Sequence, residues 1–128
     1  MIVRLLTFLL LLAALTGAGG VARAQDNFFE ALYDVPVMRG LEELKDQAML
    51  FDKPDGRIAS VVAVSERLSP EAVGSFYAQV LPELGWQKTS PGQYVRGKDA
   101  LTLSVTSRGG VTIAHFSLSP AAGGGVRR

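Results

Sequence analysis

One histidine and no cysteine, in a chain of 128 residues, leave little of the usual inventory for enzyme chemistry. Nucleophilic catalysis needs a Ser, Thr or Cys beside a base. His115 is the single imidazole, and Ser104, Ser107 and Ser117 lie in or near strands. None lies in a G-x-S-x-G elbow, the strained turn that presents a serine to substrate. Between Ala114 and Phe116, His115 reads as a structural or exposed strand residue. Zinc takes several Cys, His or carboxylate ligands, and one histidine cannot supply the usual set. Asp46, Asp52 and Asp55 offer the oxygen donors that calcium requires, but their spacing does not match a twelve-residue calcium loop. Glu42, Glu43, Glu66, Glu71 and Glu83 fall where solvation or capping explains them, without the facing pair that glycoside hydrolysis requires. Gly123 to Gly125 lacks the G-K-[ST] ending of a phosphate loop and precedes no helix. The residues therefore point to no catalytic, metal or cofactor site.

Aromatic side chains are the remaining candidates, here for binding. Phe28, Phe29 and Leu32 crowd a short segment, and Trp86 and Tyr94 flank a turn. Buried, they would anchor a core; exposed, they would form an interaction surface or the rim of an apolar ligand groove. Arg96, Lys98, Arg108, Arg127 and Arg128 are scattered, and read as a solvated face with peripheral membrane contact as their functional alternative.

The elements that must position these residues begin after residue 24. Arg4, the apolar run Leu5 to Leu15 and the small-x-small triplet Ala22-Arg23-Ala24 predict a cleaved signal peptide over 1–24. The apolar run is far shorter than the roughly 20 residues that span a bilayer, so no stable transmembrane segment is expected after cleavage. The 104 residues left carry 11 basic and 12 acidic side chains, a balance that argues against a nucleic-acid partner. The charge is uneven: Gln25 to Glu66 holds nine acidic and four basic residues, and Arg67 to Arg128 holds seven basic and three acidic. A cysteine-free exported domain of this size fits a bacterial periplasm better than a disulfide-stapled extracellular setting.

Residues 25–47 read as an N-terminal segment with one helical turn around Phe28 to Leu32, then a loop. An α+β domain is expected over 48–119, followed by a disordered tail at 120–128. Ala48 to Phe51 and Arg57 to Glu66 are strand candidates joined by Asp52-Lys53-Pro54-Asp55-Gly56, a strong turn signal. Ile58, Val62 and Val64 share one phase, and Ala59, Val61 and Ala63 the other. Ser69, Pro70 and Glu71 open a helix in the N-cap, N1 and first-turn positions. Val73, Phe76, Tyr77, Val80, Leu81 and Leu84 then give it an apolar stripe. Of these, Val73, Phe76, Val80 and Leu84 are expected to meet Ile58, Val62, Leu101 and Leu103. Pro82 should kink or end the helix, with Gly85 as its terminator. Further strands follow near Trp86, at Tyr94 to Arg96, Ala100 to Ser107 and Val111 to Leu118. In the last, the apolar phase switches after Ile113, which a bulge or coverage of both faces would explain. The order β-β-α-β-β-β predicts an antiparallel sheet of about five strands with one long amphipathic helix on one face.

Three stretches, V-P-V-M-R-G-L (Val35 to Leu41), L-F-D-K-P-D-G-R-I (Leu50 to Ile58) and F-Y-A-Q-V-L-P-E-L-G-W (Phe76 to Trp86), followed by Y-V-R at Tyr94, carry a resemblance to small uncharacterised exported proteins of proteobacteria. More distantly, the order is similar to the helix-on-sheet domains of outer-membrane assembly lipoproteins, whose lipid-bearing cysteine this chain lacks. The resemblance implies a periplasmic or envelope α+β domain and transfers no reaction. The sequence thus predicts a non-enzymatic envelope module that binds another protein, at a sheet edge or through Phe28, Phe29 and Leu32, with Trp86 and Tyr94 as further candidates. The alternative is a carrier of a small apolar ligand or lipid, with a pocket between helix and sheet.

Overall fold

The computed structural model describes residues 27–121, so the expected signal peptide and residues 122–128 of the expected tail lie outside the described residues. Pro120, expected in that tail, instead ends the last strand, and the Ala121 N–H donates to the Lys98 carbonyl. Seven strands form one antiparallel sheet: β1 (Glu42–Glu43), β2 (Met49–Lys53), β3 (Gly56–Ser65), β4 (Gln87–Ser90), β5 (Gln93–Arg96), β6 (Asp99–Arg108) and β7 (Val111–Pro120). Among the described residues the one long helix, α1 (Pro70–Glu83), packs on one face. Across the sheet the order is β1-β3-β7-β6-β5-β4, and β2 lies beside β3. Because β7 pairs along residues 59–65 of β3, β1 and β2 both occupy the opposite side of β3. They share that edge, separated by a 3-10 turn at Lys45–Gln47. The expected architecture is therefore present with more than the expected five strands. Glu42–Glu43 pairs with Ala63 and Val64 in place of the expected loop or turn, a contact made across the sheet that no local pattern announces.

Helix α1 begins as its sequence dictates. Ser69 is the N-cap, its hydroxyl accepting from the Ala72 N–H at 3.1 Å, and Pro70 fills the first turn. Pro82 falls in the last turn without breaking it. Gly85, at φ 94°, lets the chain reverse, with the N–H of Gly85 donating to Pro82 and that of Trp86 to Leu81. These two bonds satisfy carbonyls that a helix end leaves open.

The buried helix face differs from the expected one. Val73, Tyr77 and Leu81 are fully buried, Phe76 and Val80 pack only partly against the core, and Leu84 is exposed. The stripe is rotated because the Tyr77 hydroxyl has partners inside: it donates to the Pro36 carbonyl at 2.8 Å and accepts from the Met38 N–H at 3.0 Å. A tyrosine whose polar tip is satisfied can be enclosed completely. Burial also pushes its phenol pKa well above the ordinary tyrosine value.

On the sheet, Ala59, Val61 and Ala63 face the core, not Ile58, Val62 and Val64. Both phases of this strand are apolar, so alternation alone does not choose the buried one. The choice follows from what covers it. Helix α1 lies over β4, β6 and β7, while Phe29, Leu32 and Val35 from the N-terminal segment join the same core. The Phe29 ring sits 4.9 Å from Phe116, and Phe116 lies 4.8 Å from Tyr77. Residues 27–47 are thus part of the domain and not an appendage to one starting at 48. The segment carries no helical turn over Phe28 to Leu32; Phe28 bridges Pro36, and the Phe29 and Val35 N–H groups close a compact loop. In β7 the register against β6 runs unbroken from Val111 to Pro120. No bulge explains its phase switch: Thr112, Ala114, Phe116 and Leu118 are buried, with Val111 and Ile113 half-buried on the other face.

Candidate functional site

The two edges of the sheet are built from opposite chemistry. One is β4, Gln87-Lys88-Thr89-Ser90, short, polar and irregular in register against β5. Polar side chains, a lysine and a bulge are what protect an edge from pairing with another chain. The other is β2, Met49-Leu50-Phe51-Asp52-Lys53, which pairs with β3 and with no second strand among the described residues. Met49, Leu50 and Phe51 are 52%, 48% and 56% exposed, three consecutive large apolar residues on an open edge. None of the protecting devices acts at their centre; Asp52 and Lys53 follow only at the end.

Pairing fixes where these side chains lie. Met49 is opposite Ser60 and Phe51 opposite Ile58, so both share the open face of the sheet; Leu50, opposite Ala59, shares the helix-bearing face. Helix α1 covers the far half of that face and the N-terminal segment its middle, which leaves Leu50 half exposed. Beside it is a shallow cleft of about 250 Å³ lined by Glu30, Ala31, Lys45, Ala48, Met49 and Leu50. A second, of about 390 Å³, follows along β1, lined by Phe28, Val37, Leu41 and Glu43 among others. Lys45 lines both, and its ammonium lies 3.7 Å from the Glu30 carboxylate in an exposed pair, a kind that contributes little.

Of the five residues the sequence nominated as an interaction surface, only Phe28 is exposed. Phe29, Leu32, Trp86 and Tyr94 are buried in the core. Trp86 is closed over by Arg96, whose guanidinium carbon lies 4.3 Å from the ring centroid and which also binds the Asp34 carboxylate and the Leu84 carbonyl. This lid of cation–π, ionic and hydrogen-bonding contacts removes the indole from the surface. Burial likewise raises the Tyr94 phenol pKa. A ligand groove rimmed by these aromatics has no surface to occupy. Nor is there space between helix and sheet at their centre, where Tyr77 and Phe116 are in direct ring contact.

His115 is exposed on the open face, and its Nε2 lies 2.7 Å from the Ser60 hydroxyl. Ser60 is invisible to sequence reasoning as its partner because 55 residues separate the two; only the β3–β7 register brings them together. The pair stands on a flat strand surface, and among the described residues no carboxylate hydrogen-bonds the imidazole to orient it as a base requires. It reads as a cross-strand polar contact. Asp46, Asp52 and Asp55 form no metal cluster, and among the described residues no group of three or more His, Asp or Glu does so.

The chain matches no protein-family model, no curated protein and no solved structure.

Proposed function

We propose that this protein is a non-enzymatic envelope module whose work is to bind another protein along the open edge of β2. The observation that carries this reading is the contrast between the two edges. A domain that protects β4 with polar residues and an irregular register, yet leaves Met49, Leu50 and Phe51 exposed on β2, has an edge suited to strand addition. The outward N–H and C=O groups of β2 supply the backbone hydrogen bonds. The apolar side chains on either face supply the area that water relinquishes on docking. An exported location is part of the same reading, supported by the charge, apolar run and small-x-small triplet of residues 1–24.

Replacing Met49 and Phe51 by lysine tests it, because lysines on an edge strand oppose pairing. Both side chains are about half exposed, so the double variant should keep the circular-dichroism spectrum and melting behaviour of the parent. The expected result is that parent protein purified gently from its own cells elutes with a second protein in stoichiometric amount. The double variant should elute alone. A variant that keeps its partner would remove β2 from the function.

A further inference from the structure

The charges around β2 say what kind of chain fits there. Resting on the docking reading above, we infer that the partner presents an extended segment in which apolar residues alternate with lysine or arginine, and that this segment adds to the sheet as a strand beside β2. Glu42 to Asp55, the stretch that builds this edge, carries five acidic and two basic residues. The acids are distributed to suit alternation. Asp52 shares the helix-bearing face with Leu50, since it pairs with Arg57 as Leu50 pairs with Ala59. The Arg57 guanidinium is turned to the hydroxyl and ring of Tyr33 and away from an ion pair with Asp52, and Glu30 lines the cleft beside Leu50. Farther along the same edge, Glu43 lines the next cleft, and its Oε2 is enclosed without a hydrogen-bond donor among the described residues.

The opposite face of the strand asks for something different. Met49 and Phe51 project there beside Ile58, so the residues of an added strand on that side must be apolar. Side chains of a strand alternate between faces, and a single extended segment meets both demands. Its apolar residues cover Met49 and Phe51. Its lysines lay their aliphatic stems across Leu50 and carry their ammonium groups to Glu30 and Asp52. The exposed Glu30–Lys45 pair is weak enough to yield to such a competitor. A second copy of this chain is the poorer occupant, because joining two β2 edges places two acidic stretches side by side. Like charges at a pairing edge oppose association.

The test uses two terminally blocked heptapeptides, Lys-Val-Lys-Val-Lys-Val-Lys and the same peptide with Glu for each Lys, titrated into ¹⁵N-labelled protein. The lysine peptide should shift and protect the amides of β2 and leave β4 unmoved. Its affinity at low salt should exceed that of the glutamate peptide by at least about tenfold, and the gap should narrow as salt screens the charges. The double substitution Glu30→Gln with Asp52→Asn should weaken lysine-peptide binding severalfold without altering the fold. If the glutamate peptide binds β2 as tightly, the charge assignment is overturned while edge docking survives. If neither peptide moves β2, or if β2 pairs with a second copy in the absence of peptide, the inference is overturned. The Met49 and Phe51 lysine variant then still decides the docking reading by itself.

Discussion

Phe116→Ala should lose about 3–5 kcal/mol of folding stability, the range for removing a large aromatic from a packed core. That is a large share of the roughly 5–15 kcal/mol available to a domain. The reason is its position in β7, where Phe116 is fully buried and touches Phe29 from the N-terminal segment and Tyr77 from α1. Both covering layers contact this ring, so its removal opens a cavity that neither layer alone can collapse to fill. Phe76→Ala provides the control. Phe76 stands edge-on to Tyr77 at 4.8 Å but is only partly buried, and its loss should be about 1–2 kcal/mol. His115→Ala, on the open face, should stay within about 0.5 kcal/mol. Urea denaturation ranks the three. A larger loss at Phe76 than at Phe116 would mean that α1 turns a different face to the sheet.

Tyr77→Phe should cost about 1–3 kcal/mol and also change how stability responds to alkali. The phenol oxygen ties α1 to the N-terminal segment through the Pro36 carbonyl and the Met38 N–H. Without it, both backbone groups are left unpaired in a partly buried setting. The pH response follows from the raised pKa of the folded state, which burial causes. Below the ordinary tyrosine value of about 10, folded and unfolded chains both hold the proton, and the contribution is complete. Above it the unfolded phenol ionises while the buried one does not, so stability falls as pH rises. The substituted ring has no proton to lose. The variant should therefore show a shallower decline above about pH 10, retaining the part due to Tyr94, which burial raises as well. Parallel declines in the two proteins would place the Tyr77 hydroxyl in solvent.

What the sequence made legible was the architecture, and the reasons are local. Ser69-Pro70-Glu71 specified the helix start, Gly85 its end, and Pro54 to Gly56 the turn between β2 and β3. Each of these is decided by a few neighbouring residues. The buried face of β3 was not legible, since Ala59-Val61-Ala63 and Ile58-Val62-Val64 are both apolar series. The division of cover between α1 and the N-terminal segment settled that matter, and it is a tertiary fact. The candidate site was half visible. Ala48 to Phe51 was readable as a strand, and its three successive large apolar residues already departed from simple alternation. Nothing local says whether such a strand lies inside a sheet or at its border. Read as central, Met49, Leu50 and Phe51 would be core; at the border they are a surface. The aromatics at 28, 29, 86 and 94 drew attention by type, but burial depends on contacts such as Arg96 over Trp86, which join distant parts of the chain.

Photo-cross-linking in intact cells tests the central claim, that the edge of β2 is where this protein meets its partner. A benzophenone side chain placed at position 51 reports on the β2 edge, and the same group at position 88 reports on the β4 edge. Both positions are exposed, so the group can be carried at either without disturbing the core. The account predicts a discrete adduct with another protein from position 51 and none from position 88. No adduct from 51, or the same adduct from both positions, would contradict it.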